Sequence, residues 1–471
     1  MKNLWVLTEE RPKTSVLKMI FEYFAKENKC DFFAQKLMIV PLLNDDKTFS
    51  FTYEVTGFEC SKIEKVFIKT VSGYSSFVDF LIFYQKEVPQ PDDEPTYAIE
   101  ETKTDDSESR NTGVYQRCSK FVFIRHYYPN VKLIMLYALA VKQKEIPTQT
   151  YIFGTRLLMT FGVEILGKVL DSNVFKPFGS IQELVDFKNS MPPPRAYSNT
   201  PIAITILENE IQVSGRLYKN GGISHDPNIG ALSIICAVIR KLGFCGELRV
   251  IRHGLEQKHL GKTNKFIQIA NALNIKLHNL NLPITQCLSN YWKYETEGEK
   301  LGTIFIHVVV ENFTVGYSVF ENHAGCEKGY FITGEGEHLA LEKYNDRAKY
   351  KAGDKGQIIY IPDLVMLDLD EKEAVNIEGK KYSKRKQGIE ELDNYDSFER
   401  KYLAKFYPEF EILRTVVLYG SKNENIMEDQ VGFLLNEDGK MILGASAPAL
   451  FVKAINNLID YWRVIKKVSL E

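Results

Sequence analysis

The hydrophobic positions of the first 190 residues switch between two spacings, which predicts a mixture of helices and strands. After the apolar run LWVL, apolar residues recur at Val16, Leu17, Ile20, Phe21 and Phe24, the spacing of an amphipathic helix. Strand-like segments follow in KLMIVPLL, TFSFTYEV, EKVFIKTV, FVDFLIFY and TYAIEETK. A helix over residues 115–124 and a strand in VKLIMLYAL complete this α/β pattern.

A break at MPPPRAY separates this part from the rest, because consecutive prolines cannot continue a helix or a central strand. The next segment predicts a hairpin in TILENEIQVSGRLY, a buried helix in IGALSIICAVIRKLG that ends at Gly243, a strand in ELRVIRHGL and a helix in KTNKFIQIANALNI. The last segment predicts strands in GTIFIHVVV, QIIYIPDLVMLDL, AVNIEGKKY and EILRTVVLYG, with helices in HLALEKYNDRAKY and QGIEELDNYDSFERKYLAKF. We therefore predict domains at 1–190, 195–290 and 291–471.

Composition narrows the class of protein without indicating a ligand. A hydrophobic fraction of 44% and a charged fraction of 25% are typical of globular proteins. The chain starts without a signal-peptide pattern and has no apolar run of membrane-spanning length, and its seven cysteines are scattered, so we expect a cytoplasmic protein with reduced thiols. Because the net charge is only −2, a nucleic-acid ligand would need a locally basic face.

The first candidate chemistry lies in the segments FVDFLIFY and AIEETK. Asp79 interrupts the apolar residues of one predicted strand, and Glu101, Thr102 and Lys103 close the next one. Side chains alternate along a strand, so Glu101 and Lys103 share one face. If the strands are neighbours, Asp79 and Glu101 converge beside Lys103. Two carboxylates at one point suit Mg²⁺, and an adjacent ammonium can help to position water and offset charge on a phosphate.

The same pattern recurs in the last third of the chain. Asp363 interrupts an apolar strand, Glu378, Gly379 and Lys380 close the following strand, and Gly379 would leave room for metal or substrate. A lone Glu-x-Lys triplet is more often an exposed ion pair. In this chain each triplet ends an apolar strand, has an upstream Asp, and leads into a helix and a further apolar strand.

These two constellations resemble the motif of the PD-(D/E)XK nuclease superfamily, to which most type II restriction endonucleases belong. The resemblance covers about residues 70–140 and 340–420, and Val78 stands where the motif has proline. It implies an α/β (α+β mixed) fold with two mixed sheets flanked by helices, joined by the middle α/β module. It also implies catalytic lysines at Lys103 and Lys380, and Mg²⁺ ligands at Asp79, Glu101, Asp363 and Glu378.

The resemblance implies a type II site-specific deoxyribonuclease, a Mg²⁺-dependent restriction enzyme that cuts double-stranded DNA beside a cognate DNA methyltransferase. Two constellations in one chain predict two active sites, one per DNA strand, while a homodimer stays open. For each basic segment an exposed solvated surface is the alternative to DNA binding. The candidate DNA-binding residues are Arg110, Gln116, Arg117, Lys120, Arg249, Arg252, Lys258, Lys262, Lys384 and Arg385.

Two other functions remain open at this point. One is a repair or recombination nuclease that recognises the structure or modification of DNA. The sequence lacks the P-loop G-x-x-x-x-G-K-[ST], which argues against a motor-driven machine of that kind. The other is a DNA-binding protein in which one or both sites are inactive, and the lysine in both triplets argues against it.

Overall fold

The computed structural model describes residues 1–73, 77–102, 113–138, 147–192, 202–219, 222–223, 227–261, 265–285, 290–322, 330–341, 359–420, 422 and 424–468. It divides into two compact units. Unit 1 consists of residues 1–72 and 294–471, and unit 2 consists of residues 73–293. None of the helices in these described ranges combines the length and apolar character that a bilayer crossing needs.

Strands and helices alternate along both units. The N-terminal part of unit 1 contains β1 (Lys2–Thr8), α1 (Thr14–Asn28), β2 (Phe32–Leu43), β3 (Phe49–Cys60) and β4 (Ile63–Gly73). Unit 2 contains β5 (Phe80–Gln85), β6 (Tyr97–Glu101), α2 (Gly113–Tyr127), β7 (Lys132–Leu136), α3 (Gln149–Phe161), β8 (Val163–Leu166), α4 (Ile181–Ser190), β9 (Ile204–Ile206), β10 (Glu210–Ser214), β11 (Tyr218–Lys219), β12 (Gly222–Ile223), α5 (Pro227–Lys241), β13 (Glu247–Ile251), α6 (Lys265–Ala272) and β14 (Ile275–Leu277). After β15 (Trp292–Tyr294), the C-terminal part of unit 1 contains α7 (Lys300–Phe313), β16 (Tyr317–Glu321), β17 (Tyr330–Ile332), β18 (His338–Ala340), β19 (Leu364–Asp368), β20 (Glu373–Lys381), α8 (Arg385–Leu392), α9 (Asp396–Phe398), α10 (Ala404–Phe406), β21 (Glu411–Gly420), β22 (Val431–Asn436), β23 (Met441–Leu443) and α11 (Ala449–Val468).

Unit 1 is built on a mixed sheet with the order β16-β19-β20-β21-β22-β23. Strand β19 pairs antiparallel with β16 and β20, whereas β20, β21 and β22 run parallel. Helix α7 packs on one face, and α8 packs against β20 and β21 on the other. Strands β2, β3 and β4 form an antiparallel meander, and β1 pairs parallel with β4.

Unit 2 contains two mixed sheets. In the first, β5 pairs antiparallel with β6, and β6, β7 and β8 run parallel. In the second, β9 pairs antiparallel with β10, and β10, β13 and β14 run parallel. Helix α5 follows β10 and packs against α2 and α3.

Both units therefore contain the same core, an antiparallel strand pair followed by a helix and two parallel strands. In unit 2 these elements are β5, β6, α2, β7 and β8, and in unit 1 they are β19, β20, α8, β21 and β22. The predicted mixed α/β class, with mixed sheets flanked by helices, is confirmed. The division into units differs from the predicted domains, because residues 1–72 group with the C-terminal part and the middle module shares unit 2 with β5–β8.

Three predicted elements are wrong. The run GTIFIHVVV forms helix α7, whose residues Leu301 to Val310 are all buried, so its hydrophobicity carries no helical periodicity. The predicted long helix after residue 386 is interrupted, since α8 ends at Leu392 and a π-helical turn occupies Glu399–Leu403. The predicted helix at HLALEKYNDRAKY begins as strand β18, and its residues 342–350 lie outside the described ranges.

Gly230 allows α2 and α5 of unit 2 to cross at close range. A Cβ atom at this position would overlap the backbone carbonyl oxygen of Tyr115 in α2. Gly230→Ala should therefore lower the free energy of unfolding by about 1–3 kcal/mol or more, although alanine favours a helix. Urea denaturation would measure the loss. Gly261→Ala is the control, since a Cβ atom there meets nothing within 4 Å, and an equal effect of both variants would contradict the close crossing.

Candidate active site

The carboxyl groups of Asp363 and Glu378 lie on the same face of the unit 1 sheet. Leu364 pairs with Ile377 in the antiparallel β19–β20 register, which places Asp363, just before β19, opposite Glu378. The backbone N–H of Gly379 donates a hydrogen bond of 2.9 Å to Asp363 Oδ2. Lys380 shares this face and forms an ion pair with Glu378. The structure thus brings together the three residues that the sequence predicts for this site.

Helix α8 and the turn after it supply two further polar groups that the sequence pattern did not single out. Glu391 Oε2 lies 2.9 Å from Lys380 Nζ, and the hydroxyl of Tyr395 donates to Glu378 Oε2. The close approach of α8 depends on Gly388, where a Cβ atom would lie 2.8 Å from Lys380 Cγ. The lysine is consequently held between a carboxylate of its own strand and one of the helix above it.

Negative charge is crowded at this site. Burial raises the pKa of Asp363 to about 6 against the opposing effect of Lys380, and the charges of Glu299 and Glu391 add to the rise. Burial and the charge of Asp363 also raise the pKa of Glu378 well above its ordinary value. Lys380 is the cation that the described residues place among these carboxyl groups. A further cation would therefore be favoured.

Gly379 has a different role from the predicted one. Its position faces α7, and a Cβ atom there would lie 2.5 Å from Thr303 Oγ1 and 3.2 Å from Asp363 Oδ2. The space beside Gly379 is filled by Thr303, so it is not open to metal or substrate. Glycine at this position allows α7 to pack closely on β20.

The donor set of unit 1 fits Mg²⁺. No group of three or more His, Cys, Asp or Glu side chains within the described ranges is arranged as a complete metal cage. Mg²⁺ does not need such a cage, since one or two carboxylates commonly bind it while water supplies the remaining ligands. Asp363 and Glu378 offer hard oxygen donors on one face, next to an excess of negative charge.

In unit 2 the structure places Glu100, and not Glu101, opposite Asp79. Phe80 pairs with Ile99, so the register continues to Asp79 and Glu100. The N–H of Glu101 donates a 2.6 Å hydrogen bond to Asp79 Oδ2, as Gly379 does to its aspartate in unit 1. By this correspondence Glu100 matches Glu378, and Thr102 stands where unit 1 has its lysine. The predicted convergence of Asp79 with the Glu101 side chain is wrong, and Lys103 lies outside the described residues.

Three cations surround Glu100, which is only 2% exposed. Lys120 Nζ lies 2.7 Å from Oε1 and 2.9 Å from Oε2 of this carboxyl group, and Arg117 Nε lies 3.6 Å from Oε1. Burial and the charge of Asp79 raise the pKa of Glu100 to about 7, although Lys120 and Arg117 oppose the rise. Burial and the charge of Lys120 lower the pKa of Lys265 to about 7. The unit 2 site is therefore rich in positive groups.

The candidate DNA-binding residues of α2 fall in different environments. Gln116 is exposed on the helix surface. Arg117 is only 6% exposed and donates to the Glu101 carbonyl oxygen, and Lys120 is paired with Glu100. Both cations therefore point to the acid pair. Arg110 and Lys262 lie outside the described residues.

The remaining candidates also differ in how they are engaged. Arg249 pairs with Glu210 and Glu247 and is not a free cation. Arg385 donates to Glu428 at 2.7 Å and covers the ring of Tyr382. The candidates with exposed side chains are Arg252, Lys258, which pairs with Glu256, and Lys384.

Comparisons of the chain with protein-family models, with curated proteins and with solved structures find no match.

Proposed function

We propose that this protein is a magnesium-dependent endonuclease that hydrolyses phosphodiester bonds in double-stranded DNA at the Asp363 site. The observation that carries the proposal is the common face of Asp363, Glu378 and Lys380 at the start of β19 and the end of β20. Two carboxylates and an ammonium on one face can hold a divalent cation and place a positive charge beside the attacked phosphate.

Asp363 and Glu378 would hold the Mg²⁺ ion. When bound, the ion supplies activation of water and stabilisation of charge on the phosphate. Lys380 orients the attacking water and offsets phosphate charge, and Glu391 fixes the position of its ammonium group. Tyr395 donates to Glu378 and fixes the orientation of that carboxylate.

The finer assignment rests on the sequence resemblance. We propose cleavage at a specific DNA sequence, as in a type II restriction enzyme of the cytoplasm with a cognate DNA methyltransferase as its companion. The exposed residues Arg252, Lys258 and Lys384 would contact DNA phosphates, with a homodimer as one arrangement that presents two cleavage sites to a duplex. Salt would weaken this binding because phosphate contacts release counterions.

Digestion of phage DNA by the purified full-length chain, with Mg²⁺ or with a chelator, tests the proposal. We expect discrete fragments that form with Mg²⁺ and not with the chelator. A Mg²⁺-dependent smear would retain the nuclease but contradict sequence specificity. Intact DNA under both conditions would contradict the proposed function.

A further inference from the structure

The two acid sites share their backbone geometry and differ in charge. In each, an aspartate before the first strand accepts a hydrogen bond from the residue that follows the glutamate of the second strand. Around the unit 1 pair lie two more carboxylates, those of Glu299 and Glu391, and the ammonium of Lys380. Around the unit 2 pair lie Arg117, Lys120 and Lys265.

Hydrogen bonding alone does not separate the two sites. Both oxygens of Glu378 have a partner, one in Lys380 and the other in Tyr395, and both oxygens of Glu100 bind the single ammonium of Lys120. The balance of charge does separate them. Among the described residues, four carboxyl groups face one ammonium in unit 1, whereas two carboxyl groups face three basic groups in unit 2.

We propose that the unit 2 site takes no divalent cation, because Lys120 of helix α2 occupies the place of the metal as an internal cation. A second positive ion beside Glu100 would meet the ammonium of Lys120 at contact distance and the guanidinium of Arg117 close by. The surrounding groups are also largely buried, Arg117 at 6% and Lys265 at 8% exposure, so solvent screens this repulsion poorly.

One divalent-cation site per chain follows from this assignment. It rests on the proposed function, since the unit 1 site must be the one that binds the ion. It also revises the expectation of two active sites in one chain, because a single chain would then cut a single strand. Cutting both strands would require two chains or two successive binding events.

The number of bound Mn²⁺ ions per full-length chain tests the inference without any measurement of cleavage. Titration followed by electron paramagnetic resonance should give one site in the natural protein, none in Glu378→Gln, and one in Glu100→Gln. Two sites in the natural protein would overturn the inference and leave the proposed function standing. Loss of the site in Glu100→Gln, with retention in Glu378→Gln, would overturn both. No bound Mn²⁺ in the natural protein would contradict the proposed function.

A gain of metal binding provides the sharper arm of this test. Lys120→Gln removes the internal cation and leaves Asp79 and Glu100 less neutralised, so this variant should bind two Mn²⁺ ions per chain. Lys120→Arg keeps the charge and should bind one. Thermal unfolding of both variants checks that they fold. If folded Lys120→Gln still binds one Mn²⁺ ion, Lys120 is not what excludes the metal, and the inference fails.

Discussion

Glu378→Gln should abolish magnesium-dependent DNA cleavage, with the single-turnover rate falling by at least about a thousandfold. A bound cation stabilises the transition state of phosphate attack by several kcal/mol, and each 1.36 kcal/mol corresponds to about tenfold in rate. The substitution removes one of the two carboxylates proposed to hold that cation. Asp363 would remain, but with one carboxylate the site holds the ion weakly.

The fold should survive this substitution, so the loss of cleavage can be assigned to the site. Burial raises the pKa of Glu378 well above its ordinary value, and a neutral amide is close in shape and charge to the protonated carboxyl. Lys380 keeps Glu391 at 2.9 Å as a partner. Glu371→Gln, in the exposed turn between β19 and β20, is the matched control and should cleave normally. Cleavage by Glu378→Gln within tenfold of the natural rate would contradict the assigned role.

The sequence predicts most strands and helices where periodicity is clear. Helix α5 ends near Gly243 as predicted, with this glycine at φ +95°, and the amphipathic helix α6 and strands β20 and β21 are also correct. Prediction fails at α7 because every residue from Leu301 to Val310 is buried. A continuous apolar run of this kind fits a strand of a buried sheet as well as a helix enclosed on all sides.

The unit 1 trio could be predicted because its spacing lies within one strand pair. Glu378 and Lys380 are two residues apart on β20, and alternation alone puts them on one face. The contributions of Glu391 and Tyr395 depend on how α8 crosses the sheet, and the motif contains no spacing for that. Gly388, between Lys380 and Glu391 in the sequence, is a local sign of a close crossing.

The error in unit 2 comes from strand register. Glu100 and Glu101 are adjacent, and the motif spacing to Lys103 selects Glu101. The pairing of Phe80 with Ile99 brings Glu100 opposite Asp79 instead, and this register depends on packing across the sheet. A shift of one residue moves every side chain of a strand to the other face. The resemblance to the motif is therefore informative about the strand pair and misleading about which glutamate meets the aspartate.

The affinity of the unit 1 site for Mn²⁺ should fall steeply as the pH decreases below about 6. Asp363, with its pKa raised from 3.8 to about 6, retains a proton in the range where an ordinary aspartate is ionised. Cation binding needs the ionised carboxylate and displaces this proton, so each pH unit below the pKa lowers the apparent affinity about tenfold per displaced proton. The raised pKa of Glu378 adds a second displaced proton. Calorimetric titration at several pH values would measure the slope.

Glu391→Gln should shift this pH dependence toward lower pH. Its negative charge contributes to the raised pKa of Asp363, so an amide at this position makes the carboxyl group easier to ionise. Glu390→Gln, on the exposed side of the same helix, is the matched control and should leave the curve in place. In the metal-free protein, the folded state binds more protons than the unfolded chain between pH 3.8 and about 6, so the contribution of Asp363 to stability falls as the pH rises through that window. An affinity independent of pH, or an equal shift in both variants, would show that these carboxyl groups are not the ones that release protons to the cation.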